Sequence, residues 1–297
     1  MDHFEAAQKL LASSGHTVES LLKSSDSRDF EPVPLNFKLS GRINAKIREI
    51  QSRNVLGIIP GSETQASTEA VLFGAHWDHL GIALPINGDN IYNGAIDNGT
   101  GVGLVLDIAR VWGQLRQKPR RSALFAFWTA EESGLRGAEY FSRHPVIPAN
   151  KIAVNINYDA VFPSARTKDV VVTGAERTSI WPTVQEAARR FSLEIVSDPR
   201  PEQGSYYRSD HFMLARIGIP AFSVKTGSKI IARAEDFAAA QFREYNTRLT
   251  TNHRTEYDPN WDFASLEHAG RFGFLTGLNI AELDDTSSLE CRRRIRC

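Results

Sequence analysis

Apolar side chains recur at helical spacing through residues 4–23, at Phe4, Ala7, Leu10, Leu11, Val18, Leu21 and Leu22. Positions three and four apart share a helix face, so this pattern predicts helix. Ser13, Ser14 and Gly15 predict a break into two short helices. Ser24 to Ser27 reads as a loop, and alternation at Leu35, Phe37 and Leu39 predicts a strand. From residue 54 the pattern becomes strand, loop, helix, repeated. Strands are expected at 54–61, 71–75, 122–128, 152–156 and 221–224. Helices are expected at about 101–115, 178–190, 209–217 and 263–282. The run Ala123-Leu124-Phe125-Ala126-Phe127-Trp128 is apolar without alternation, as in a strand buried on both faces. Together these elements predict an α/β fold with a mixed, mostly parallel central sheet flanked by helices on both faces. The expected organisation is a helical segment and strand over 1–53 packing on the core, a main domain over 54–284 and a basic tail over 285–297.

Composition narrows the function. The 297 residues are 41% hydrophobic and 24% charged, ordinary values for a globular chain with a sizeable core. Lys plus Arg equals Asp plus Glu at 35 each, so no broad basic face exists to hold nucleic acid. The basic run Arg292-Arg293-Arg294-Ile295-Arg296 reads as a solvated tail. Both cysteines, Cys291 and Cys297, lie in that tail, so disulfides do not hold the body of the fold together. No apolar run is long enough to span a membrane. Met1-Asp2-His3-Phe4-Glu5 lacks the basic-then-apolar order of a signal peptide, which leaves a cytoplasmic protein or a chain starting inside a longer precursor. Localisation and oligomeric state stay undefined.

Ionisable groups cluster where the predicted strands stop. His76 and Asp78 follow the strand at 71–75, Glu131 and Glu132 the strand at 122–128, and Asp159 the strand at 152–156; Asp97 opens the helix near 101. In open α/β sheets such strand ends converge on one site. Read singly, Asp97 is also a natural helix N-cap, the Glu pair suits a first helical turn, and His76 and Asp159 suit packing and a turn. Read together, several carboxylates at one sheet rim are costly without cations, and mixed His and carboxylate donors suit zinc. Asp78 is placed to orient the second ring nitrogen of His76.

Five segments carry a family likeness: His76-Trp77-Asp78-His79-Leu80-Gly81, Tyr92 to Gly101, Thr129 to Gly137, Asn157-Tyr158-Asp159, and Tyr207-Arg208-Ser209-Asp210-His211-Phe212. In this order they resemble the M28 family of zinc aminopeptidases, over about residues 54–282. The resemblance implies the zinc-peptidase fold, two zinc ions per chain, and peptide substrates with a free N-terminus. It implies Asp97 as bridging ligand, His76 and Asp159 completing one site, Glu132 and His253 the other, and Glu131 as general base. His253 sits in a shortened version of the family's last motif, without its usual Asp. Glu256 is the candidate substitute, and His211 is the fallback ligand. Tyr206 or Tyr207 is the implied donor to the developing oxyanion, although both also read as packing aromatics. Arg208 is expected to orient neighbouring carboxylates, and Asn157 and Phe162 to line the substrate pocket.

The resemblance also predicts a fragment of a longer secreted or periplasmic precursor, beginning after a protease-associated insert. Two other functions fit parts of the pattern. A glutaminyl cyclase would use a similar fold with one zinc, and a metal-free relative would act as an interaction domain. The full set of ligands favours hydrolysis.

Overall fold

The computed structural model describes residues 3–35, 37–38, 40–64, 68–86, 88–231 and 259–284. The chain divides into two units, residues 1–50 and 51–297. In the first, helices α1 (His3–Ala12) and α2 (Val18–Ser25) form on either side of the Ser-Ser-Gly break. Thr17 caps α2: its hydroxyl accepts the Ser20 amide at 3.0 Å, while the Thr17 amide donates to the Ser20 hydroxyl at 3.1 Å. The strand expected at Leu35–Leu39 does not form. Leu35, Phe37 and Lys38 are irregular, and Leu39 lies outside the described residues. Alternation makes a strand only where a neighbour completes the hydrogen-bond ladder. Among the described residues no strand pairs with this stretch.

The second unit is built on a seven-stranded sheet. Its strands are β1 (Val55–Ile59), β2 (Ala70–His76), β5 (Ser122–Trp128), β6 (Ile152–Asn157), β7 (Asp169–Thr173), β8 (Glu194–Val196) and β9 (Ala221–Thr226). Between β2 and β5 a separate hairpin forms from β3 (Gly81–Ile86) and β4 (Asp89–Tyr92). The sheet order is β1-β5-β2-β6-β9-β7-β8. β5, β2, β6 and β9 run parallel, β1 is antiparallel to β5, and β7 is antiparallel to β9 but parallel to β8. This is the mixed, mostly parallel sheet that the alternating pattern predicts.

Alternate residues of the central strands feed two apolar layers, one on each face. Val71, Phe73 and Ala75 of β2 pack with Leu104, Val105, Ile108 and Trp112 of α3 (Gly101–Gly113) and Phe272 of the C-terminal helix. Ala70 and Leu72 face the other way, toward Ala138 and Phe141 of α4 (Arg136–Arg143) and Leu214 of α6 (His211–Ala215). Helix α5 (Trp181–Arg190) and the C-terminal helix α7 (Ala264–Ala281) complete the first layer. Because side chains alternate along a strand, helices must cover both faces to bury this sequence.

Register fixes where chemistry can gather. β2 pairs with β5 from Ala70↔Ser122 to His76↔Trp128, and Gly74 pairs with Asn157 of β6. The C-terminal ends of β2, β5 and β6 are therefore level, and the residues that follow each strand enter one region.

Candidate metal centre

His76, the last residue of β2, is fully buried. Its Nδ1 lies 2.9 Å from the backbone carbonyl of Asp78. A carbonyl only accepts, so the Nδ1 proton is held there and Nε2 points the other way. The partner predicted for His76 is thus the right residue but the wrong atom. The Asp78 carboxylate instead accepts from the Thr129 hydroxyl and, at 2.8 Å, from the Ala130 amide. It pins the turn after β5, where Ala130 has φ of 53°.

His76 Nε2 faces Asp97 Oδ1 at 3.0 Å and Asp159 Oδ1 at 3.5 Å. Asp97 arrives on the Ala95–Thr100 turn before α3, with a cis peptide bond to Asn98. Asn98 is buried and joins the two acidic segments: its Nδ2 donates to the Tyr158 carbonyl at 2.9 Å, and its Oδ1 accepts the amides of Gly101 and Ala160. Asp159 is held from behind. The Ser209 hydroxyl donates to its Oδ2 at 2.5 Å and accepts from Asn157 Nδ2 at 2.9 Å. Asn157, expected in the substrate pocket, is fully buried beneath it. It ends β6 facing inward, where its amide is spent on Ser209.

A second group forms beside the first. His79 Nδ1 lies 2.7 Å from Glu132 Oε1, and ligand atoms of His79, Glu132 and Asp97 come within 4.8 Å of one another. The same spacing holds for His76, Asp97 and Asp159. Asp97 belongs to both groups. His79 carried no role in the sequence reading although it stands in the quoted motif. The signal was its position, three residues after His76 on the same loop. His253 and Glu256 lie outside the described residues. His211, the fallback, is in neither group. It is buried against the Tyr206 ring at 4.9 Å, and burial pushes its ring down to about 3.

The electrostatics follow from crowding. Burial disfavours a charged His76 ring, but hydrogen bonding and attraction from Asp159 and Asp97 outweigh it and raise the ring to about 12. Asp159 would be pushed up by burial, yet the His76 ring beside it holds it well below the usual carboxylate range. Burial, reinforced by Asp159, Asp210 and Glu132 and opposed by His76, pushes Glu131 up to about 9. These groups compete for too few positive charges, as carboxylates do around a cation site. The donor set tests the same idea: two clusters of His nitrogen and carboxylate oxygen, with His76 Nδ1 tied to a carbonyl, suit zinc.

A cavity of about 790 Å³ opens over Asp97, Glu131, Glu132 and Asp159. Phe162, Tyr207 and Arg208 line it, whereas Tyr206 is buried among Tyr207, His211 and Phe212 beneath the Arg177 guanidinium. The Tyr207 hydroxyl accepts from Arg177 at 3.4 Å. Arg208 does not orient a carboxylate: it is exposed on the cavity lining, and among the described residues it makes no ion pair. It ends the Ser205–Arg208 turn that Gly204 opens.

Comparison with known proteins decides the family. The description of peptidase family M28 matches residues 54–268. The chain belongs to peptidase family M28. It is 33% identical over 267 residues to the glutamate carboxypeptidase 2 homolog of Caenorhabditis elegans, covering 87% of this chain and 31% of that protein. It is 30% identical over 206 residues to the probable lipoprotein aminopeptidase LpqL of Mycobacterium tuberculosis, covering 65% of this chain and 38% of that one. The chain thus spans less than two-fifths of the length of these relatives. Among solved structures, the LapA aminopeptidase of Legionella pneumophila shares the fold with a TM-score of 0.56 at 17% identity, over 78% of this chain and 56% of that one.

Proposed function

We propose that this M28 chain is the catalytic unit of a metallo-aminopeptidase that holds two zinc ions and hydrolyses the N-terminal peptide bond of peptides with a free amino terminus. The observation that carries this reading is the pair of ligand clusters sharing Asp97 at the floor of one cavity. His76, Asp97 and Asp159 would hold one ion, and Asp97, Glu132 and His79 the other, with His253 a further candidate ligand for the second. When bound, the ions supply Lewis-acid polarisation of a carbonyl and a water of lowered pKa. Glu131 accepts the proton from the attacking water at its carboxylate and returns it to the departing amine. Glu131 lines the cavity beside Asp97, Glu132 and Asp159. Tyr207, on the cavity wall, is the candidate donor to the oxyanion; buried Tyr206 supports it by packing.

Two measurements test the reading. Protein dialysed against buffered zinc should retain about two ions per chain by elemental analysis; none would overturn it, and one would favour the cyclase-like alternative. Glu131→Gln should lower kcat on aminoacyl-aminocoumarin substrates by about 10²–10⁴ with zinc content intact. Joint loss of metal and activity would make Glu131 a ligand instead.

A further inference from the structure

The part of the cavity wall that carries Tyr207 is fastened by one cation, Arg177. β7 ends just before Gly174, and the turn Ala175–Arg177 follows. Gly174 has φ of 107°, and a Cβ there would collide with the Tyr206 ring, so that ring seats on bare backbone. Arg177 reaches over the same seat. Its guanidinium carbon lies 4.4 Å from the Tyr206 ring centroid and 5.8 Å from that of Tyr207, within cation–π range of both. Its Nη1 donates to the Tyr207 hydroxyl at 3.4 Å. Glu176 steadies the arrangement. One of its oxygens accepts the Gly174 amide at 2.9 Å, and the other lies 3.4 Å from Arg177 Nε.

Tyr207 lines the cavity, and among the described residues Arg177 is not part of that lining. A guanidinium only donates, whereas a phenol oxygen offers one hydrogen and two lone pairs. The bond from Arg177 therefore occupies a lone pair and turns the Tyr207 hydrogen away from the cation. Among the described residues no acceptor bonds that hydrogen, so its acceptor has to come from the cavity or from solvent. The same bond polarises the O–H, because linked hydrogen bonds strengthen one another. A phenol held in this way is a better donor to an anion than a free one.

We propose that Arg177 is a positioning residue for the oxyanion step: it presents the Tyr207 hydrogen to the cavity as a polarised donor and touches neither substrate nor metal itself. This rests on the aminopeptidase reading and on Tyr207 as the donor.

The test is a double-mutant cycle in the zinc-loaded chain with leucyl-aminomethylcoumarin, with bound zinc measured for every variant. Tyr207→Phe should lower kcat by about 10²–10³, the range for one oxyanion donor. Arg177→Met should lower kcat by about ten-fold, the scale of one charge-assisted hydrogen bond, with KM and zinc content unchanged. In the Tyr207→Phe background, Arg177→Met should change kcat by no more than about two-fold. Arg177→Lys, which keeps a charged donor, should retain more activity than Arg177→Met. A residue that only holds the wall together behaves otherwise: its removal costs the same factor with or without the Tyr207 hydroxyl, because Tyr206 is covered in both. That equality overturns the proposal, as does loss of zinc or an unchanged kcat in Arg177→Met. An unchanged kcat in Tyr207→Phe removes Tyr207 from the reaction and overturns the proposal with it, while hydrolysis itself stands. Should the parent chain cleave no aminoacyl substrate, the aminopeptidase reading fails on its own. Calorimetry with leucinephosphonic acid, a tetrahedral anion, then decides the role of Arg177. Binding weakened by Arg177→Met only where the Tyr207 hydroxyl is present supports it. No binding by the parent chain, or the same change in both backgrounds, overturns it.

Discussion

At the scale of single residues, the centre depends on side chains that aim other side chains. Asn98 ties Asp97 to the turn after β6, and Ser209 fixes the outer oxygen of Asp159. His79 stands differently, because its Nδ1 faces Glu132 within the second ligand cluster. His79→Ala is expected to reduce bound zinc from about two ions to about one per chain, and His76→Ala to remove the other. Retention of both ions by His79→Ala would leave it a hydrogen-bond partner of Glu132 and return the second site to His253. The strand-end acids were legible in the sequence because each directly follows an apolar run, so topology alone brings them together. His79 was not. Whether a residue three places past a strand turns inward depends on the loop's path, which no periodicity encodes. Asn157 misled for a related reason: it neighbours the acid, but strand alternation sends its side chain beneath the site.

The elements divide the same way. β2, β5 and β6 were legible because strands buried on both faces are continuously apolar, and their ends were correct to about a residue. β7 has three consecutive valines, yet it is short and its partner β9 lies far along the chain, so nothing local marks it. The β3–β4 hairpin escaped because Ile82 and Leu84 are both exposed, leaving no buried face to read. Leu35–Leu39 shows the converse, an alternation with nothing to pair with. α7 carries its own signature in Gly270, Gly273 and Gly277. A Cβ at Gly277 would lie 2.5 Å from the Phe73 ring of β2, and one at Gly273 would meet the Tyr158 hydroxyl. The helix therefore seats on the sheet by its glycines. Gly277→Ala is expected to cost about 1–3 kcal/mol through overpacking, read from urea midpoints. Gly103→Ala is the control. It sits in α3 with open space around it, and should stabilise by about 0.5–1 kcal/mol. Equal stabilisation by both would mean that α7 rides higher on the sheet than described.

For the whole molecule, the crowded acids tie stability to pH and to metal. Burial, with Asp159 and Asp78 adding and His76 opposing, pushes Asp210 up to about 8, and Glu131 stands at about 9. A carboxyl whose affinity for protons rises on folding contributes stability that is complete below its unfolded pKa of about 4. That contribution is lost as pH climbs toward the folded value. His76 acts in the same sense from about 6.5 upward, because its folded value is about 12. Asp159, held low, works in the opposite sense, but its share is already complete above about pH 4. His211 and His268, held low by burial, also work in the opposite sense, and their share is complete only above about pH 6.5. Between pH 7 and 8, therefore, the metal-free fold holds more protons than the unfolded chain. Each such proton makes stability fall by up to about 1.4 kcal/mol per pH unit. Chelator-treated protein should show urea midpoints that fall from pH 7 through 7.5 to 8. Asp210→Asn, which removes a titrating group that is not a ligand, should make that slope shallower. Zinc reverses the trend, because bound cations take the place of the protons and bind more tightly as the ligands deprotonate. The zinc-loaded protein should therefore hold or gain stability over the same range. A flat or rising profile without metal would show that the carboxyl groups around His76 do not carry the protons this geometry assigns to them.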